Sequence, residues 1–214
     1  MISQILIAIA TMTVFVIIMT AWFDITFSNP LYLLLLPLII SIFHLTTPPT
    51  FRIFGLYKYL SPMFLVNIPT KEKYELHNGT SYDYLLNISR MRKLGPKRTL
   101  LIDYLKGFLT IIDEIQIGKL PDTVTVKGSS YFFSERTANR FGFNIEEVKM
   151  SQKLNAIFNY LDLIWMYSIA NKKLSFLDLK KMKVARIKGY DLVKQKENIK
   201  IMLDRLEKNV SKKV

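Results

Sequence analysis

The chain has no cysteine among its 214 residues. Disulfides, thiolate-bound zinc and cysteine nucleophiles are therefore excluded, and a reducing compartment suits the composition. Histidine is almost as scarce. His44 and His77 are the only two, too few for a His-rich metal site or proton relay. Lysine and arginine are missing from the first 51 positions, where Asp24 is the only charged residue. From Arg52 onward there are 30 basic residues against 16 acids, a net charge of +14. The break at Arg52 separates an uncharged apolar block from a portion of ordinary polarity with a strong basic bias.

Within the apolar block, Ile2 to Phe23 is an uncharged run of 22 residues. As a helix it covers a hydrocarbon core of roughly 30 Å. No basic residue precedes it, its core is long, and no small-x-small pattern closes it, so a membrane helix is expected rather than a signal peptide. Trp22 and Phe23 fall where an interfacial aromatic belt would lie. Asn29-Pro30 marks a turn and a helix start. The second run, from Leu31 to about Thr47, is short for a span, carries Pro37 and stops at Pro48-Pro49. It reads as a short tilted span or a re-entrant segment. The span is favoured, because an irregular backbone facing lipid leaves its polar groups unpaired. Residues 1–51 are thus expected to form a transmembrane helical hairpin, with spans at about 2–23 and 31–47. Arg52, Lys58, Lys71 and Lys73 follow it and place the remainder in the cytoplasm.

Residues 52–69 mix aromatics with Arg52 and Lys58 and are broken by Gly55, Pro62 and Pro69. They read as an interfacial segment in the headgroup zone, or else as an apolar strap packed on the domain. Residues 70–214 are expected to fold as a mostly helical α+β domain. Helices are expected from Thr80 or Ser81 to about Lys93, and from Lys97 to Gln116. Others are expected from Asn144 or Glu146 to about Ala170, around FLDLKKM, and from Tyr190 to about Val210. The stretch DTVTVKGSSYFF alternates and then turns at Gly128, the one β-hairpin signal. In the last helix Leu192, Ile199, Leu203, Leu206 and Val210 form a seam that can pack on the domain or pair with a second copy. The predicted fold class is therefore membrane-anchored and predominantly α, with one small β-hairpin in a cytoplasmic domain.

The richest constellation of site-type residues is KGSSYFFSERTANRFGF. Lys127, Ser129, Ser130, Ser134, Arg136 and Arg140 together offer hydroxyls and cations of the kind that hold a phosphate. The spacing is neither that of a phosphate-binding loop nor that of a serine-hydrolase elbow. A hairpin turn, a capping serine and two solvated arginines are the plainer account. His77, with Glu75 and Asp83 near it in sequence, has the residue types of a general base with a carboxylate partner. A loop histidine beside a helix cap is the plainer reading. His77 and Ser130 are the catalytic candidates. His44 is expected to contact headgroups. Nothing in the sequence calls for a cofactor or a metal.

From Asn171 to the end there are 14 basic residues and 5 acids. That field suits an anionic lipid surface. Nucleic acid is disfavoured, because the last helix has few aromatics to stack on bases. The functional expectation is a membrane-anchored cytoplasmic binding or scaffold module. It would form a homo-oligomer or join a membrane-protein partner. The alternative is a membrane-tethered transferase or hydrolase acting on a phosphate-bearing or lipid-headgroup substrate.

Overall fold

The computed structural model describes residues 2–130 and 135–211. The first helix, α1 (Ile2–Ser28), has 27 residues. At 1.5 Å per residue it is about 40 Å long, and it is long and apolar enough to cross a membrane. Ile5, Leu6, Ile9, Val16 and Ile17 along it are exposed. Asn29 caps a 3₁₀ turn, Pro30–Leu35, by accepting the Leu31 amide at 3.0 Å. The chain then enters α2 (Leu36–Thr46), with Pro37 inside its first turn, where a missing N–H removes no helical bond. The expected kink at Pro37 is thus a 3₁₀-to-α junction. Pro48-Pro49 does more than end α2: it opens α3 (Pro48–Ile53).

α2 packs back along α1. The rings of Phe15 and Phe43 stand 5.3 Å apart, and the Trp22 indole N–H donates to the Tyr32 carbonyl at 3.2 Å. Thr50 Oγ1 reaches the Ala8 carbonyl at 3.4 Å.

Residues 52–69, expected as an interfacial segment or as an apolar strap on the domain, join the sheet. They supply α3's last turn and two strands, β1 (Tyr57–Ser61) and β2 (Phe64–Asn67), paired antiparallel. Met63, Phe64, Leu65 and Val66 are each 5% exposed or less. Consecutive burial of this kind erases the period-two alternation by which a half-buried strand is recognised. β3 (Lys73–Asn78) adds antiparallel to β2. Next come α4 (Ser81–Leu86), α5 (Ile88–Leu94) and the 21-residue α6 (Pro96–Gln116), which lead into β4 (Thr125–Ser130). β4 lies parallel to β3, so these helices form a crossover.

The chain continues through α7 (Glu135–Arg140), β5 (Asn144–Glu147), α8 (Met150–Phe158) and α9 (Tyr160–Asn171). It then passes a 3₁₀ turn capped by Asp178, β6 (Lys183–Lys188), α10 (Gly189–Lys194) and α11 (Lys196–Ser211).

About 65% of the chain is helical. Among the described residues the six strands make one mixed sheet in the order β1-β2-β3-β4-β6-β5. The expectation of a single hairpin is corrected in two ways. β4 runs straight through Gly128 without turning, hydrogen-bonded to β3 on one side and β6 on the other. Gly128 serves close approach: a Cβ there would stand 3.2 Å from both Cβ and O of Leu76. The expected return strand, Tyr131 to Phe133, lies outside the described residues. The helix expected from Asn144 or Glu146 begins instead as β5.

The main core sits between one face of the sheet and α6. Val66, Leu76, Val126 and Ile187 meet Leu105, Phe108, Ile111 and Ile112. The seam of the last helix is spent on this core, with Ile199 and Leu203 buried as α11 packs on α6. Strand alternation turns Val184 to the opposite face. There it joins Val148, Ala156 and Met182 in a second cluster beneath α8.

Candidate functional site

The second face of the sheet is only partly covered. Leu65 on β2 pairs in register with His77 on β3. Alternation aims both, with Ser129 of β4, away from the main core. Over them lie α8, α9 and the end of α2. Between sheet and helices is a cavity of about 270 Å³, lined by His44, His77, Asp162, Ser81, Ser129 and Thr80. Asn67, Asn78, Asn155 and Asn159 also line it, with Tyr57 and a few apolar side chains. Both histidines of the protein therefore face one space, although they sit on an apolar helix and a central strand. Among the described residues the lining holds no Lys or Arg.

His44 is positioned by a buried hydrogen-bond chain. Its Nδ1 donates to Asp162 Oδ2 at 2.6 Å, the carboxylate being an acceptor only. The other oxygen, Oδ1, accepts the Ser81 hydroxyl at 3.0 Å. Ser81 Oγ in turn accepts the Trp165 indole N–H at 3.0 Å. Asp162 and Ser81 are each 3% exposed. In the neutral ring, an Nδ1 proton held this way leaves Nε2 as the lone-pair acceptor. The contact expected with headgroups is in fact a contact with a carboxylate on α9.

Ser81 owes its place to the start of α4. Thr80 is the N-cap: its side chain accepts the Asp83 amide at 3.4 Å, and its own amide donates to Asp83 Oδ2 at 2.7 Å. This reciprocal capping box fixes the first turn, on which Ser81 projects. Tyr59 Oη also donates to Asp83, at 3.0 Å. Burial pushes the Asp83 carboxyl above its usual range, against the pull of the Thr80 and Tyr59 hydrogen bonds and the Arg52 charge.

His77 stands on a strand, not in a loop, and the carboxylates expected beside it are engaged elsewhere. Asp83 belongs to the cap. Glu75 pairs with Lys73 at 2.7 Å and with Lys127 at 3.2 Å. Burial works to raise the Glu75 carboxyl, but hydrogen bonds from these two lysines outweigh it and hold the group below its ordinary value. Burial likewise lowers the His77 imidazole, with the Glu75 charge pulling the other way. Lys127 is lowered by burial first, opposed by Glu75 and reinforced by Lys73.

The candidate anion-binding residues are only partly brought together. Lys127 and Ser129 share a face of β4, Ser129 in the cavity and Lys127 on Glu75. Arg140 is exposed at the end of α7. Ser134 and the side chains of Ser130 and Arg136 lie outside the described residues. Among the described residues no three of His, Asp, Glu or Cys converge as for a bound metal ion. No protein-family model, curated protein or solved structure matches the chain.

Asp162, Asn155 and Asn159 escaped the sequence reading. A signal for Asp162 does exist: it is the only charged residue between Lys153 and Lys172. His44 is likewise the only ionisable side chain of its own run apart from Tyr32. Two lone polar residues in apolar helices are natural partners, since each needs the other to be buried at tolerable cost.

Proposed function

We propose that α1 and α2 anchor the protein as a transmembrane hairpin, with the basic domain on the cytoplasmic side, and that the domain is a binding module for a small uncharged polar group. The length and exposed apolar surface of α1, the packing of α2 along it and the cations that begin at Arg52 support the anchor and its direction. The ligand class rests on one observation above all: a cavity of about 270 Å³ whose polar lining is amide, hydroxyl and imidazole, with a single carboxylate, Asp162, already taken up by His44 and Ser81. Such groups donate and accept in equal measure and suit a polyol, as in a sugar-type lipid headgroup, better than a phosphate. Lys127, a cation of the expected anion site, is occupied by Glu75.

A hydrolytic or transfer activity is the second reading, favoured by the His44–Asp162 pair. A carboxylate that holds Nδ1–H leaves Nε2 ready to take a proton from a hydroxyl or a water.

The test is mass spectrometry of amphiphiles that co-purify with the full chain from membranes in mild detergent, compared with Asn155→Leu and Asn159→Leu. A polyol-headed amphiphile enriched over its membrane abundance, and reduced about tenfold by either substitution, is the expected result. Bound lipids that merely mirror the membrane in all three proteins refute the binding reading.

A further inference from the structure

α8 and the start of α9 present Leu154, Ile157, Phe158 and Leu161 on one outward face, each between 45% and 54% exposed. The spacing of three, one and three residues keeps them on one side of the helices. The inward side is committed: Ala156 and Asp162 are buried, and Asn155 and Asn159 line the cavity.

Large apolar side chains grouped on one face mark a contact surface. Two observations identify what covers it. First, α9 packs directly on α2, whose Leu36 and Leu38 are themselves exposed, so this face lies on an element that abuts the hairpin. Second, the sole charge between Lys153 and Lys172 is Asp162, which is turned inward onto His44. The apolar face therefore lies between lysines, as in helices seated at the boundary of headgroups and acyl chains.

We propose that this face of α8 and α9 is seated in the lipid interface, so that the domain touches the bilayer a second time, beside the hairpin. The proposal rests on the transmembrane reading of α1 and α2. It places the helical wall of the cavity against lipid.

The chain has no native cysteine, so single nitroxide labels can be set in the full-length protein. Phe158→Cys is compared with Ile17→Cys on α1 and Lys181→Cys on the polar surface. The proteins are reconstituted in phosphatidylcholine–phosphatidylglycerol vesicles, and collision rates with oxygen and with a water-soluble nickel chelate are measured. The expected oxygen-to-nickel ratio at position 158 is several-fold above that at 181 and approaches that at 17. A water-type ratio at 158 with a lipid-type ratio at 17 overturns the proposal and leaves the anchor standing. A label at 158 shielded from both reagents means a protein covers the face, and also overturns it. A water-type ratio at 17 removes the anchor and this proposal together.

Discussion

Replacing Asp162 by leucine removes the acceptor on which two donors converge, His44 Nδ1 at 2.6 Å and Ser81 Oγ at 3.0 Å. Each donor left unpaired in a buried place costs about 1–3 kcal/mol. Removing the carboxylate also relieves its own desolvation, and the His44 side chain keeps 28% exposure, so water reaches part of the gap. The net loss for Asp162→Leu is then about 3 kcal/mol, at the lower end of the range for breaking a buried pair. Asp162→Asn keeps the shape and one acceptor oxygen and costs about 1–2 kcal/mol.

The decisive quantity is the coupling in a double-mutant cycle. With His44→Leu already made, the imidazole no longer needs the carboxylate, and Asp162→Leu should cost about 2 kcal/mol less than it does alone. The assay is chemical unfolding of the full chain in detergent micelles. It is read by Trp165 fluorescence in a Trp22→Phe background, since Trp165 donates into the same chain through Ser81. Effects that add within about 0.5 kcal/mol refute the reasoning, because they mean the two residues share no interaction.

Two further outcomes follow from the geometry. Burial holds the His77 imidazole below its ordinary value of about 6.5, so the unfolded chain takes up its proton first. The stability this confers is complete above that pH and is lost as pH falls towards the folded-state value. The unfolding midpoint should therefore drop more steeply between about pH 7 and pH 5.5 in the wild type than in His77→Gln; equal slopes would show that burial has no such effect. In Gly107→Ala, the new methyl would collide with the Phe64 ring and stand 3.2 Å from Leu60 Cβ. Overpacking where α6 meets β1 and β2 should cost about 1–3 kcal/mol, against a small gain in helix propensity. A variant as stable as the wild type would mean that β1 and β2 can retreat.

What could be read in advance follows physical lines. α6 was legible because a single face is buried, so Leu105, Phe108, Ile112 and their neighbours repeat at helical spacing. The long α1 was legible because nothing interrupts it. β2 and β6 were not. Leu65 and Val66 are both buried, one on each side of the sheet, and KVARIK hides Val184 and Ile187 among cations that pair on the surface. Arg186 with Glu146 is one such pair. The hydroxyls and arginines of 127–140 are close in sequence, yet among the described residues only Ser129 of that stretch reaches the cavity. The residues that do assemble there come from β1, β2, β3, β4, α4, α8, α9 and the end of α2. No local pattern records such a meeting.

The bond between His44 and Asp162 spans 118 positions and ties the N-terminal helices to the far half of the chain. Trimming the polypeptide ahead of Arg52 to obtain a water-soluble fragment would therefore amputate one wall of the site and strand an acid inside what remains. During synthesis the same bond has to wait. α1 and α2 are synthesised first, and His44 stays without its carboxylate until α9 has been made, so the packing of α9 on α2 comes late in assembly.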